Sequence, residues 1–165
     1  MCSSDLVAFN LTDQTGAPIT QAAFQGQPTA IFFGFTHCPE VCPTTLYELD
    51  GWLKKVDPEG GHIKAYFISV DPERDTPELL GNYVAGVSDR IIGISGDPDK
   101  VNAMVRGFNI YAKKVPEEGG GPNDYTMDHT ASVFLLDSKG RFKSTIGWGE
   151  DPDMAIGKLT NLLKG

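Results

Sequence analysis

The sequence is short of cysteine, of basic residues and of long apolar runs, and each shortage removes a class of protein. Three cysteines in 165 residues are too few for a disulfide scaffold. A chain of this length buries roughly 70% of its unfolded surface without such staples. No stretch of roughly eighteen apolar residues occurs, and no basic-then-apolar export signal opens the chain. Nothing in these residues therefore reads as a membrane-spanning helix. Lys and Arg number 14 against 22 Asp and Glu, a net charge of −8. With no basic run to offset it, such a surface is repelled by phosphate backbones, which excludes nucleic acid as the expected partner. Internal repeats and low-complexity tracts are missing too. What remains, 40% hydrophobic and 22% charged, is an ordinary globular composition of a size that suits one domain.

Strand and helix signals alternate along the chain. Leu6 to Leu11 and Pro18 to Thr20 read as an N-terminal hairpin turned by Asp13-Gln14-Thr15-Gly16. Thr29 to Phe35 is a short apolar run of the kind that forms a buried central strand. Pro43 is tolerated only in a first helical turn, so a helix is expected to start near Cys42 and run to about Val56. Leu46, Leu49, Trp52 and Leu53 would cover its inner face. Ile63 to Val70 is the next strand. Thr76 with Pro77 behind it predicts a capped helix to about Val87. A strand at Arg90 to Ser95 precedes a helix opened by Asp97-Pro98, with Val101, Met104, Val105 and Phe108 inward. Lys113 to Asp124, which holds Gly119-Gly120-Gly121-Pro122, reads as a mobile loop. Ser132 to Leu136 and Phe142 to Ile146 form a hairpin. A closing helix from Pro152 offers Met154, Ile156, Leu159, Leu162 and Leu163 for burial. This order predicts an α/β, thioredoxin-like fold: a central mixed, mostly parallel sheet flanked by helices, with an N-terminal β-hairpin.

The chemistry concentrates where the first buried strand meets the first long helix. Cys38 and Cys42 stand there, four residues apart, at the carboxyl end of a strand where open α/β sheets bind ligands. A helix N-terminus favours negative charge and so keeps thiolate available. Two thiolates on a tight connection suit a soft metal, a reversible disulfide, or both. An inert buried pair is disfavoured by the two prolines and the helix start that converge on it. The three-residue gap departs from the two-residue gap of thioredoxin-type oxidoreductases. Phe35 occupies the position at which a peroxiredoxin needs Thr.

The segment Phe33-Gly34-Phe35-Thr36-His37-Cys38-Pro39-Glu40-Val41-Cys42-Pro43-Thr44 resembles the signature of the Sco/SenC family of copper-binding proteins. Phe67-Ile68-Ser69-Val70-Asp71-Pro72-Glu73-Arg74-Asp75-Thr76-Pro77 and Asp128-His129-Thr130-Ala131-Ser132 agree with it, in the family's order. The resemblance extends from about Leu6 to the C-terminus. It implies that Cys38, Cys42 and His129 are copper ligands for Cu(I) and Cu(II). It implies a metallochaperone for the dinuclear copper centre of cytochrome c oxidase, or a thiol–disulfide reductant of the recipient's cysteines, in which Cys38 and Cys42 would be catalytic. The expected partners are the copper-site subunit of the oxidase and another copper chaperone. The implied location is the extracytoplasmic face of an energy-transducing membrane, in the bacterial periplasm or the mitochondrial intermembrane space. Residues 1–5 are expected to be a flexible remnant of a membrane or lipid anchor, with residues 6–165 as one thioredoxin-like copper-binding domain. Cys2 reads equally as a lipidation site or as a chance terminal cysteine.

Three histidines compete for the third ligand position. His62 reads as an exposed strand-end residue, and His37 adjoins Cys38 on a tight loop where neighbouring side chains often diverge. His129 is favoured by the resemblance, and a movable loop carrying it would let one site serve both oxidation states. Asp128 reads either as the partner that orients the imidazole or as a solvated turn residue. Zinc on two cysteines, one histidine and water is the competing metal reading. The acidic run from Asp71 to Asp75 reads as turn and cap chemistry rather than a copper site, because hard carboxylates match thiolate-type copper poorly.

Overall fold

A strand covered on both faces has no polar side, and β3 (Thr29–Gly34) is buried at every position. It lies beside β4 (Lys64–Ser69), nearly as buried, in a parallel pair that matches Thr29 with Lys64 and Gly34 with Ser69. Two fully buried rings stack across this pair, Phe32 on Phe67, with centroids 5.9 Å apart. In the computed structural model the described residues are 10–24, 26–34, 41–58, 62–69, 75–87, 90–97, 99–101, 103, 112–116, 125–129, 132–138, 142–147 and 151–163.

Seven strands form the main sheet in the order β2-β1-β5-β4-β3-β8-β9. Its outer members are β1 (Asn10–Asp13), β2 (Pro18–Thr20), β5 (Ile91–Ser95), β8 (Ser132–Leu136) and β9 (Phe142–Gly147). Among the described residues parallel pairing is confined to β3, β4 and β5. The β1–β2 and β8–β9 hairpins add antiparallel strands at the two margins. The sheet is thus mixed, as expected, but less parallel than alternating strands and helices imply. A hairpin contributes two strands without a crossover helix, so each one dilutes the parallel part.

Between parallel strands the chain must return from one end of the sheet to the other, and α1 (Val41–Val56) makes that return after β3. Leu46, Leu49, Trp52 and Leu53 are its buried stripe, as their spacing predicts. Arg90 closes the helix: its guanidinium donates to the carbonyls of Leu53, Asp57 and Pro58 at 3.2, 2.6 and 2.6 Å. A cation on the last carbonyls of a helix satisfies orphan acceptors and opposes the dipole. The predicted cap of α2 (Pro77–Ala85) is present, with the Thr76 hydroxyl accepting from Leu79 N at 3.2 Å.

Helix α2 packs on β5 through a glycine. A Cβ built on Gly93 would stand 2.7 Å from Leu80 Cγ, and Leu80 is fully buried. Gly93 N donates to Gln14 Oε1 at 2.7 Å, so the Gln14 side chain extends the hydrogen bonding of β1 one step beyond Asp13. Gly93→Ala is therefore expected to cost about 1–3 kcal/mol by overpacking. Urea unfolding would show this as a lower midpoint at unchanged slope.

The last helix, α3 (Pro152–Leu163), corrects one expectation. Ala155, Leu159 and Leu162 form its buried line, Ile156 and Leu163 flank it, and Met154 is 57% exposed. Positions 155, 159 and 162 repeat at helical spacing, whereas 154 stands about 80° or more around the helix from each of them, on the side away from Ile156 and Leu163, despite its apolar chemistry. The mobile loop expected over Lys113 to Asp124 also needs correction. Lys113 to Pro116 belong to β6 (Ala112–Pro116), which pairs antiparallel with β7 (Tyr125–His129) as a separate two-stranded sheet. The glycine-rich stretch weighed for that loop lies outside the described residues, as do Met104, Val105, Phe108 and Leu6 to Phe9.

Candidate metal centre

Three strand ends define one edge of the sheet: Gly34, Ser69 and Ser95, the carboxyl ends of β3, β4 and β5. Because α1 carries the chain back from this edge to the start of β4, its first turn lies there. Cys42 is the second residue of α1, and that first turn holds no acidic residue.

His129 reaches the same edge from the other side of β3. Strand β8 runs antiparallel to β3, with Val133 opposite Phe32, so β8 begins where β3 ends. His129 closes β7 three residues before Ser132. A three-residue separation spans at most about 11 Å of chain. His129 is thus the end of a paired strand, opposite Ala112, and not a residue of a movable loop as the glycine-containing stretch upstream suggests. Asp128 stands opposite Lys113 in the same ladder, so the turn reading of Asp128 is corrected as well.

Cys38 and His37 lie outside the described residues, between β3 and α1 in the sequence. Backbone topology therefore brings Cys42 and His129 to one end of the sheet and leaves the third expected ligand undescribed. Among the described residues no cluster of three or more His, Cys, Asp or Glu offers an alternative metal site. Among them too, no helix is long and apolar enough to cross a membrane.

His62 sits at the opposite end. It precedes β4, whose six residues span roughly 20 Å, so it cannot join Cys42. Its ring is exposed, as expected, but engaged: Nδ1 lies 2.8 Å from Asp57 Oδ1. The other oxygen of Asp57 accepts from His62 N at 2.8 Å and Ile63 N at 3.0 Å. Burial alone would raise the Asp57 pKa. The hydrogen bonds from the His62 ring, His62 N and Ile63 N, with the His62 charge, outweigh it and lower the group from 3.8 to about 2. A depressed carboxylate stabilises the fold above its ordinary pKa, and that contribution is lost as pH falls from 3.8 towards 2. Carboxyl-resolved NMR titration is expected to place the Asp57 midpoint near 2. Asp57→Ala is expected to cost about 1–3 kcal/mol, because it orphans the buried Ile63 N.

Sequence reasoning missed Asp57 and Asp75 as organising groups. In the acidic run from Asp71 to Asp75 the described residue is Asp75, which is fully buried and accepts from Ser69 Oγ at 2.6 Å. That agrees with a structural use. The signal available was its position directly before a Thr-Pro helix start, six residues after the end of a buried strand.

Comparison with known proteins adds to this geometry. A family model described as SCO1/SenC matches residues 5–164. The chain is 35% identical over 153 residues to a Saccharomyces cerevisiae protein named Protein SCO2, mitochondrial, covering 92% of this chain and 50% of that one. It thus spans about half the length of the curated relatives it matches. Among solved structures, ScoI of Bradyrhizobium japonicum with copper bound is 43% identical, with a TM-score of 0.85 and coverage of 96% of this chain and 99% of that chain. Arabidopsis thaliana ScoI with copper bound is 30% identical, with a TM-score of 0.88 and coverage of 96% and 98%.

Proposed function

The chain belongs to the SCO1/SenC family, and from that premise we propose that it binds one copper ion through Cys38, Cys42 and His129. On this reading it is a metallochaperone that takes part in assembling the dinuclear copper centre of cytochrome c oxidase. One observation carries it: the sheet topology brings the first turn of α1, with Cys42, and the end of β7, with His129, to the same edge.

The donor set suits copper in both oxidation states. Two thiolates satisfy soft Cu(I), and an imidazole adds the harder nitrogen that Cu(II) prefers. Transfer to a recipient is then an exchange of thiolate ligands, with copper as cargo. The recipient would be the oxidase subunit that houses the dinuclear site, and a second copper chaperone would load this one. The domain, residues 6–165, would work on the extracytoplasmic face of an energy-transducing membrane, tethered by an N-terminal anchor or by lipid on Cys2.

The second reading uses the same cysteines as a reductant, with Cys42 in the first turn of α1, where a helix N-terminus favours thiolate. One thiolate attacks a disulfide of the recipient and forms a mixed disulfide, and the other resolves it. Two thiols here become one disulfide, while the recipient gains two electrons and two protons. Anaerobic titration of the reduced protein with Cu(I) and with Cu(II), followed by absorbance and EPR, separates the two. The expected result is one equivalent of each ion and a thiolate-to-Cu(II) charge-transfer band. No stoichiometric binding of either ion, with ready cycling against a disulfide, overturns the copper reading in favour of the reductase.

A further inference from the structure

Asp75 is a fully buried carboxyl group at the same sheet edge, and copper binding as proposed gives it no task. Ser69 Oγ donates to its Oδ2 at 2.6 Å, and Ser95 Oγ donates to its backbone carbonyl at 2.9 Å. Both serines are buried, and they are the last residues of β4 and β5. Polar groups this deep persist only where they satisfy one another. Side chain and main chain of one residue thus tie together the carboxyl ends of two parallel strands. Thr76 then begins the cap of α2 directly behind them. Ser69 is also the register partner of Gly34, the last described residue of β3 before the connection that carries Cys38 to α1.

We propose that Asp75 is a positioning residue for the cysteine pair. It locks β4 and β5 together beside Gly34, the end of β3 from which the chain runs on to Cys38 and α1, and loosening that brace alters the relative reactivity of the two cysteines. Sites whose supporting shell is left loose lose their geometry before they lose their fold. The inference rests on the copper reading for one of its two readouts only.

The test compares Asp75→Ala and Asp75→Asn with Asp57→Ala, which removes a buried carboxylate of similar structural importance at the opposite end of the sheet. Alkylation rates of Cys38 and Cys42 are measured in the reduced, copper-free protein, and Cu(II) affinity is measured separately. In Asp75→Ala the ratio of the two alkylation rates is expected to change about threefold or more and Cu(II) affinity to fall about tenfold. Asp75→Asn keeps an oxygen to accept from Ser69 and stays within about twofold of the parent on both measures. Asp57→Ala moves neither. An Asp75→Ala protein with unchanged thiol rates overturns the inference, and so does an Asp57→Ala protein that shifts them equally. Should the parent protein bind no copper, the copper reading falls while the alkylation ratio still decides the role of Asp75. If Asp75→Ala does not fold, Ser95→Ala takes its place: a changed ratio supports the inference and an unchanged one overturns it.

Discussion

Cys42→Ser is expected to abolish stoichiometric binding of both Cu(I) and Cu(II), and Cys38→Ser to do the same. Each removes one of the two thiolates that make the proposed site soft. The hydroxyl that replaces it is neither ionised at neutral pH nor a ligand matched to Cu(I). The loss should exceed the roughly 10–100-fold that removal of an outer partner costs a metal site. Competition with a chromogenic Cu(I) chelator measures it, with circular dichroism to show that α1 is retained. Residue 42 occupies the first turn of α1, where serine is well tolerated, so loss of copper without loss of helix is the expected combination. Retention of full Cu(I) affinity in Cys42→Ser would move the site elsewhere in the chain.

His129→Ala is expected to separate the two oxidation states. Cu(II) affinity should fall more than about a hundredfold and the charge-transfer band should vanish, while Cu(I) affinity should fall less than about tenfold, because two thiolates already satisfy the softer ion. The variant should fold normally, since residue 129 ends β7 opposite Ala112 and the backbone pairing there does not depend on an imidazole. The same titrations that define the parent serve for the comparison. Equal loss of both ions would make His129 part of the support for the cysteines instead of a ligand selective for Cu(II). Loss of neither would return the third position to His37, the other histidine not excluded by position. His62 is excluded because it stands at the far end of β4, occupied with Asp57.

Much of the frame was legible because its signals are local. The run from Thr29, the stripe Leu46, Leu49, Trp52 and Leu53, the Thr76–Pro77 helix start and the turn of the first hairpin each depend on residues within a few positions of one another. That turn is closed in the structure by Asp13 Oδ1, which accepts from Thr15 N, Thr15 Oγ and Ala17 N at 2.9, 2.6 and 3.1 Å. The errors share a different cause. Met154 has the chemistry of a core residue but lies off the buried line of α3, and only the packing of that helix selects the line. Ala112 to Pro116 and Tyr125 to His129 are strands because they pair with each other across an intervening stretch that holds three consecutive glycines, so neither segment announces a strand alone.

The sequence by itself therefore determined the order of the main-sheet strands and of α1, α2 and α3, and the residue types available for a soft metal site, while its motifs carried the resemblance to the family. The element order follows from short-range spacing, where the turn, the cap and the side-chain period are set by neighbouring residues. Tertiary structure alone decided which groups share an edge. It placed Cys42 and His129, 87 positions apart in the chain, at one end of the sheet and His62 at the other. It also made Asp57 and Asp75 buried anchors at those opposite ends. The direction in which each strand runs, and the partner beside which it lies, settle these placements, and both are consequences of long-range pairing that no local segment encodes.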